Sequence, residues 1–326
     1  MKNTLLFSDL AVERPTGSKN DEKVAELLCR EAEGQGLKVI KLSFETKLWN
    51  KKYSFAENGS RKVELYPGPF SGAFSGMAKV ALCNNWNDVR NNSDSIVVLR
   101  KGMCGEMLMP VNFPVYFPPE HDEKYNIIKE VNPKCIITES GKTYFEDGNL
   151  QFAYAYKDSD EFFEGQTEAY VEINSECSIE STSQPFFEKK GEKDSVILVC
   201  AHMDSKYATP GALDNAAGVF SLYRLFEKLK DEKTGSTIHF VPFNGEENYG
   251  IPGQLKYLDY IKEKELPIVS VFNIDSPGFL GSQNAVSFYN IDLTRQEQLL
   301  AGTKHLQKCK EWYAGDHTIF INRKIP

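Results

Sequence analysis

The chain has no long apolar run. Its longest stretches reach about six residues, against the ~20 that a helix needs to cross a bilayer, so no membrane-spanning helix is expected. Positive charge is in deficit: 38 Lys and Arg against 46 Asp and Glu give a net charge of −8. That balance removes the electrostatic basis for binding nucleic acid and disfavours an anionic membrane surface. Cysteine is sparse and unpatterned. The seven residues, at 29, 83, 104, 135, 177, 200 and 309, form no CxxC pair, which reads as reduced, packed thiols of a cytoplasmic protein. A secretory leader is not expected, because Leu5-Leu6-Phe7 gives way at once to Ser8-Asp9. Internal repeats and low-complexity tracts are also missing. The Gly-rich stretch 68–76 lacks a Lys-Ser/Thr ending and reads as a turn, not a phosphate cradle.

What is present is an ordinary globular composition, 41% hydrophobic and 26% charged, over 326 residues. At ~100–200 residues per domain this predicts two domains. Ser18 caps a helix whose apolar residues Val24, Leu27, Leu28 and Ala32 recur at helical spacing up to Gly34-Gln35-Gly36, and a strand follows over 37–44. From about 55 to 165 the texture changes to short strands, prolines and aromatics, with a helix over 122–130. From about 166 strand and helix alternate, which signals an α/β sheet with helical crossovers. In this part a helix opens at Asp214, strands fall at 237–243, 268–274 and 285–289, and the last helix runs over 294–313. The acidic run Asp158-Ser159-Asp160-Glu161 reads as a solvated loop.

Three apolar strands each run into a metal-competent side chain. Val196–Ala201 meets His202-Met203-Asp204, Ile238–Phe243 meets Asn244-Gly245-Glu246-Glu247, and Ile268–Ile274 meets Asp275. Ligands of open α/β sheets bind beyond the carboxyl ends of the strands, so parallel strands would bring these groups together. His202, Asp214, Glu247, Asp275 and His317 offer the nitrogen and oxygen donors that zinc accepts. Asp214, at a helix start, has two oxygens and can bridge two ions. Asp204 can orient the His202 imidazole from behind, and Glu246 is left as a proton acceptor. The remaining histidines read otherwise: His239 as core, His305 on a helix surface, His121 in a loop. Cys200 reads as core.

His202-x-Asp204, Leu213-Asp214-Asn215-Ala-Ala-Gly218, Asn244-Gly245-Glu246-Glu247, Asn273-Ile274-Asp275 and Gly315-Asp316-His317 occur in one order that resembles the dizinc aminopeptidases, family 28 of the metallopeptidases. The resemblance implies an α/β fold with a mixed, largely parallel central sheet flanked by helices. It implies a discontinuous catalytic domain, 1–54 with 166–326, and a small β-rich α+β insert at 55–165 that resembles a protease-associated domain. Two zinc ions are implied, with cobalt or manganese as substitutes. Asp214 would bridge them, His202 and Asp275 would complete one, Glu247 and His317 the other, and Glu246 would be the general base, with Asp204 behind His202. The implied substrates are peptides with a free N-terminus, cleaved by metal-activated water. The alternatives are a glutaminyl cyclase or carboxypeptidase on the same scaffold, or a non-catalytic receptor-like binding protein. Three departures stand out. Gln254 replaces a common Ser, no tyrosine matches an oxyanion donor beyond the candidates Tyr289 and Tyr313, and the sequence stops nine residues after His317, where the family continues into a further strand and helix.

Overall fold

The computed structural model describes residues 5–111, 117–147, 153–157, 162–248, 250–303 and 305–326. The acidic run 158–161 lies outside them. The chain divides into two compact units, Met1–Thr46 with Glu180–Pro326, and Lys47–Ile179. The divide falls not at 54/55 and 165/166 but inside two long strands, Lys38–Lys51 and Ser175–Lys189. A continuous strand carries no Gly/Pro signal at the point where its neighbours change, so sequence texture displaces the boundary towards the next turn.

The first unit is built on a five-stranded sheet in the order Lys38–Lys51, Ser175–Lys189, Ser236–Phe243, Lys193–His202, Ile268–Asn273. Lys193–His202 pairs parallel with both of its neighbours, and Ser236–Phe243 pairs antiparallel with Ser175–Lys189. The two central strands are apolar on consecutive residues because both faces are covered. Val199, Ala201 and Phe240 pack with Phe187 under helices Lys19–Gly34 and Ala217–Leu229, through Val24, Leu28, Val219, Leu222 and Phe226. Leu198, Cys200, Val241 and Phe243 face the other way, onto Tyr257, Leu258 and Ile261 of helix Pro252–Glu263. His239 joins this layer as a buried residue hydrogen-bonded to the Tyr257 hydroxyl at 2.8 Å. The Ser18 hydroxyl accepts from Asp21 N and starts the first long helix.

The helix expected over 294–313 is shorter, Leu293–Ala301. Gly302 follows it, and Leu306–Lys308 is instead a strand, parallel to Asn284–Val286. His305 is exposed, just before that strand and not on a helix.

The second unit is a closed barrel in the order Ser54–Asn58, Arg61–Pro67, Ala153–Tyr156, Cys135–Thr138, Ile96–Leu99, Phe74–Cys83, Glu168–Ile173. Alternation divides its core. Ile96, Val98 and Ile137 point to the barrel interior, while Val97, Leu99 and Ile136 pack on helix Pro119–Val131 through Tyr125, Ile128 and Val131. His121 lies in this helix, buried, and its Nδ1 accepts from Met109 N at 3.0 Å. Pro119 at the helix start pre-sets the first turn and makes the helix longer than expected. Among the described residues, no helix is long and apolar enough to cross a membrane.

Candidate metal centre

The parallel arrangement aligns the carboxyl ends of three strands. From Lys193–His202 one crossover, through Ala217–Leu229, leads to Ser236–Phe243 on one side. The next, through Pro252–Glu263 on the opposite face, leads back to Ile268–Asn273 on the other side. The order reverses around the His202 strand, and a crevice opens there. The residues beyond the strand ends line a cleft of about 1430 Å³ that includes His202, Asp214, Glu246, Glu247, Asp275 and His317.

His202 is almost fully buried and acts as the hub. Its Nε2 lies 2.9 Å from Asp214 Oδ1 and 3.8 Å from Asp275 Oδ1, and its Nδ1 lies 3.6 Å from Asp204 Oδ1. One donor atom from each of His202, Asp214 and Asp275 falls within 4.8 Å of the other two. An imidazole nitrogen and two carboxylate oxygens so grouped suit a zinc-type cation. Glu247 and His317 line the same cleft but stand apart from this trio. Glu247 pairs with Lys206 at 3.4 Å. The His317 ring leans on Tyr289, with centroids 5.1 Å apart, and its Nε2 meets Trp312 O. Gly315 leaves room beside it: a Cβ there would sit 3.5 Å from His317 Nδ1 and 3.6 Å from Asp275 Oδ2.

Asp204 is buried behind His202. Its two oxygens accept from Glu246 N at 3.1 Å, Glu247 N at 2.9 Å and the Thr16 hydroxyl at 2.9 Å. It therefore holds the Glu246-Glu247 turn as well as backing the imidazole. Gly245 permits that turn, at a φ of 126° that suits glycine. Asn215, which the sequence pattern does not single out, ties the start of helix Ala217–Leu229 to the end of strand Ile268–Asn273. Its Nδ2 donates to Ile274 O at 2.8 Å, and its Oδ1 accepts from Gly218 N at 2.9 Å and Ser276 N at 3.1 Å. The Asp214–Asn215 peptide is cis. Gln254, the departure from the common Ser, donates to Asp316 Oδ1 at 2.7 Å. Neither tyrosine has a hydroxyl aimed at an incoming group: Tyr289 bonds the Trp312 main chain, and Tyr313 bonds Glu311.

Burial dominates the titration of Glu246, Glu247 and Asp316. It pushes Glu246 up to about 9, with Asp316 and Glu247 adding to the rise and His202 opposing it. It pushes Glu247 to about 7 against the pull of Lys206, and Asp316 to about 7. Asp214 moves down, because it is hydrogen-bonded to His202. Burial disfavours the His202 imidazolium, but its bonds to Asp204 and Asp214 outweigh that and raise its pKa.

The two-faced α/β sheet thus carries, beyond its strand ends, a His/Asp/Asp cluster of a kind that can hold a metal ion. Residues 187–326, a little under half of the chain, match the model of Peptidase family M28. Aminopeptidase YwaD of Bacillus subtilis is 37% identical over 84 residues, 26% of this chain and 18% of that protein. Leucine aminopeptidase 2 of Trichophyton equinum is 31% identical over 97 residues, 29% of this chain and 19% of that protein. The matched stretch thus spans about a fifth of the length of these curated relatives. In structure, the chain resembles BSAP, a zinc aminopeptidase from Bacillus subtilis, with a TM-score of 0.77 at 20% identity, over 98% of this chain and 81% of that one. It also resembles the aminopeptidase from Aneurinibacillus sp. strain AM-1, with a TM-score of 0.73 at 19% identity, over 98% and 82%. At that identity these likenesses speak to the fold.

Proposed function

We propose that the chain is a zinc-dependent aminopeptidase that removes N-terminal residues from peptides. The observation that carries this is the convergence of His202, Asp214 and Asp275 at three aligned element ends, with Glu246 in the same cleft. In this reading His202, Asp214 and Asp275 would hold one ion, and Glu247 and His317, with Asp214, would hold a second. The ions, when bound, polarise the scissile carbonyl and acidify a water so that attack proceeds at neutral pH. The positive charge of bound ions would draw the Glu246 pKa down from about 9, so that as a carboxylate it receives the proton of the attacking water and delivers it to the departing amine. Asp204 fixes the His202 ring and, through two backbone N–H groups, the position of Glu246. The Lys47–Ile179 unit is read as a protease-associated-like insert, on the strength of its place in the chain and its small β-rich barrel. A reducing, cytoplasmic setting is supported by seven free cysteines.

The test is a panel of aminoacyl amides, dipeptides and their N-acetylated forms, assayed with and without chelator. Turnover of free N-termini alone, lost with chelator and restored by zinc, supports the reading. Cleavage of blocked substrates, cyclisation of N-terminal glutamine, or no turnover by a zinc-loaded chain refutes it.

A further inference from the structure

Arg14 lies outside the family-matched segment, yet its side chain ends beneath the centre just described. It is fully buried, and its hydrogen-bond partners are main-chain carbonyls. Nε donates to Met203 O. Nη1 donates to Val12 O at 2.9 Å and Pro210 O at 2.8 Å, and Nη2 donates to Gly211 O at 3.1 Å. The main chain adds two more ties: Arg14 N donates to Ser205 Oγ at 2.9 Å, and Ser205 N to Arg14 O at 3.2 Å. Two residues on, Thr16 donates to Asp204.

The positions of these partners matter. Met203 adjoins His202, and Pro210-Gly211 lies three residues before Asp214. Between them the chain runs through 203–211 with no helix or strand of its own. Such a loop does not fix the distance between its ends. One planar guanidinium gripping both ends does, and its rigid fork of donors is what a lysine ammonium lacks. The fork also carries a permanent charge. The carboxylates that favour it are Asp204, Asp21, Asp214 and Glu247, three of which belong to the site. A fixed cation below the cluster offsets the mutual repulsion of those groups before any ion arrives.

Resting on the zinc-centre reading above, we propose that Arg14 is a positioning residue: it clamps the two ends of the 203–211 loop, so that His202 and Asp214 stand ready to share a cation. The N-terminal segment is thereby part of the metal site and not only a cover for the sheet.

The experiment compares the wild-type chain with Arg14→Lys and Arg14→Gln. Arg14→Lys keeps the charge and loses the fork; Arg14→Gln loses both. Zinc is titrated calorimetrically into the metal-stripped proteins below their melting temperatures, and kcat and KM are measured after zinc saturation. Groups that orient metal ligands typically change affinity by about 10–100-fold, and that weakening is expected in Arg14→Lys, with a greater one in Arg14→Gln. The kcat should fall while KM stays near wild type, a split that a general loss of stability would not give. Zinc affinity and kcat equal to wild type in both variants would overturn the proposal. Should neither variant fold, the wild-type Arg14 Nε–H decides by NMR. A slowly exchanging signal that shifts on zinc addition supports the clamp; fast exchange, or indifference to zinc, overturns it. A wild-type chain that takes up no zinc overturns the metal reading itself, and with it this one.

Discussion

Replacing Asn215 with Ala removes one side chain that joins the start of helix Ala217–Leu229 to the end of strand Ile268–Asn273. In the structure Asn215 Nδ2 donates to Ile274 O, and its Oδ1 accepts from Gly218 N and Ser276 N. Ser276 and Ile274 both border the cleft, so the Ser276 N–H and the Ile274 carbonyl can turn to water, and their loss counts for little. Gly218 N is buried and is left facing the space the amide vacated. A buried polar group stripped of its partner costs ~1–3 kcal/mol, and that is the loss predicted. Against the ~5–15 kcal/mol that holds a typical domain folded, this is a large fraction. Urea denaturation of the metal-stripped protein, followed by circular dichroism, reads it as a lower midpoint at unchanged slope. The same variant should bind zinc more weakly, because Asp214 and Asp275 are then held by separate segments. A stability loss under about 1 kcal/mol would refute the reasoning, since it would mean that water or a backbone shift replaces the amide at no cost.

Other outcomes follow from neighbouring geometry. Gly218→Ala would bring a Cβ to 2.2 Å from Asn215 Oδ1 and 2.6 Å from Ile274 O, so it should destabilise by about 1–3 kcal/mol or more through the same node; a thermal midpoint within a degree of wild type would contradict this. Asp21 is buried, its Oδ2 accepting from Gly17 N, Thr182 and Asn244 while Oδ1 has no partner among the described residues, and burial pushes it up to about 7. Its folded pKa is above the unfolded value, so its contribution is fully present below the ordinary value of 3.8 and is lost as pH rises through about 7. Asp21→Asn, with its amide nitrogen at the unpartnered position, should therefore be more stable than the parent at pH 8, by on the order of 1–4 kcal/mol, and nearly equal at pH 4. Unfolding curves whose difference does not change with pH would count against it. Glu246→Gln should abolish turnover while zinc content stays at the wild-type level; retained turnover would remove Glu246 from the proton-transfer role.

The sheet and the strand-end residues were legible because each central strand is a continuous apolar run that stops at a ligand-type side chain. Two-faced burial writes that pattern directly into sequence. The ties made by Arg14 and Asn215 were not legible. Most of their partners are main-chain atoms far away in sequence, and a main-chain group leaves no trace in residue identity. The overlong helix at 294–313 has the same origin, since Leu306–Lys308 is drawn into a strand by a partner some twenty residues upstream. His121 was misplaced because the start of its helix is set by Pro119, and its buried contact is to the Met109 main chain.

The most direct measurement is anomalous diffraction at the zinc edge from crystals of the zinc-loaded protein. Two peaks flanking Asp214 are expected, one bonded to His202 and Asp275 and the other to Glu247 and His317. Zinc bound elsewhere, or no peak within bonding distance of His202, would contradict the account.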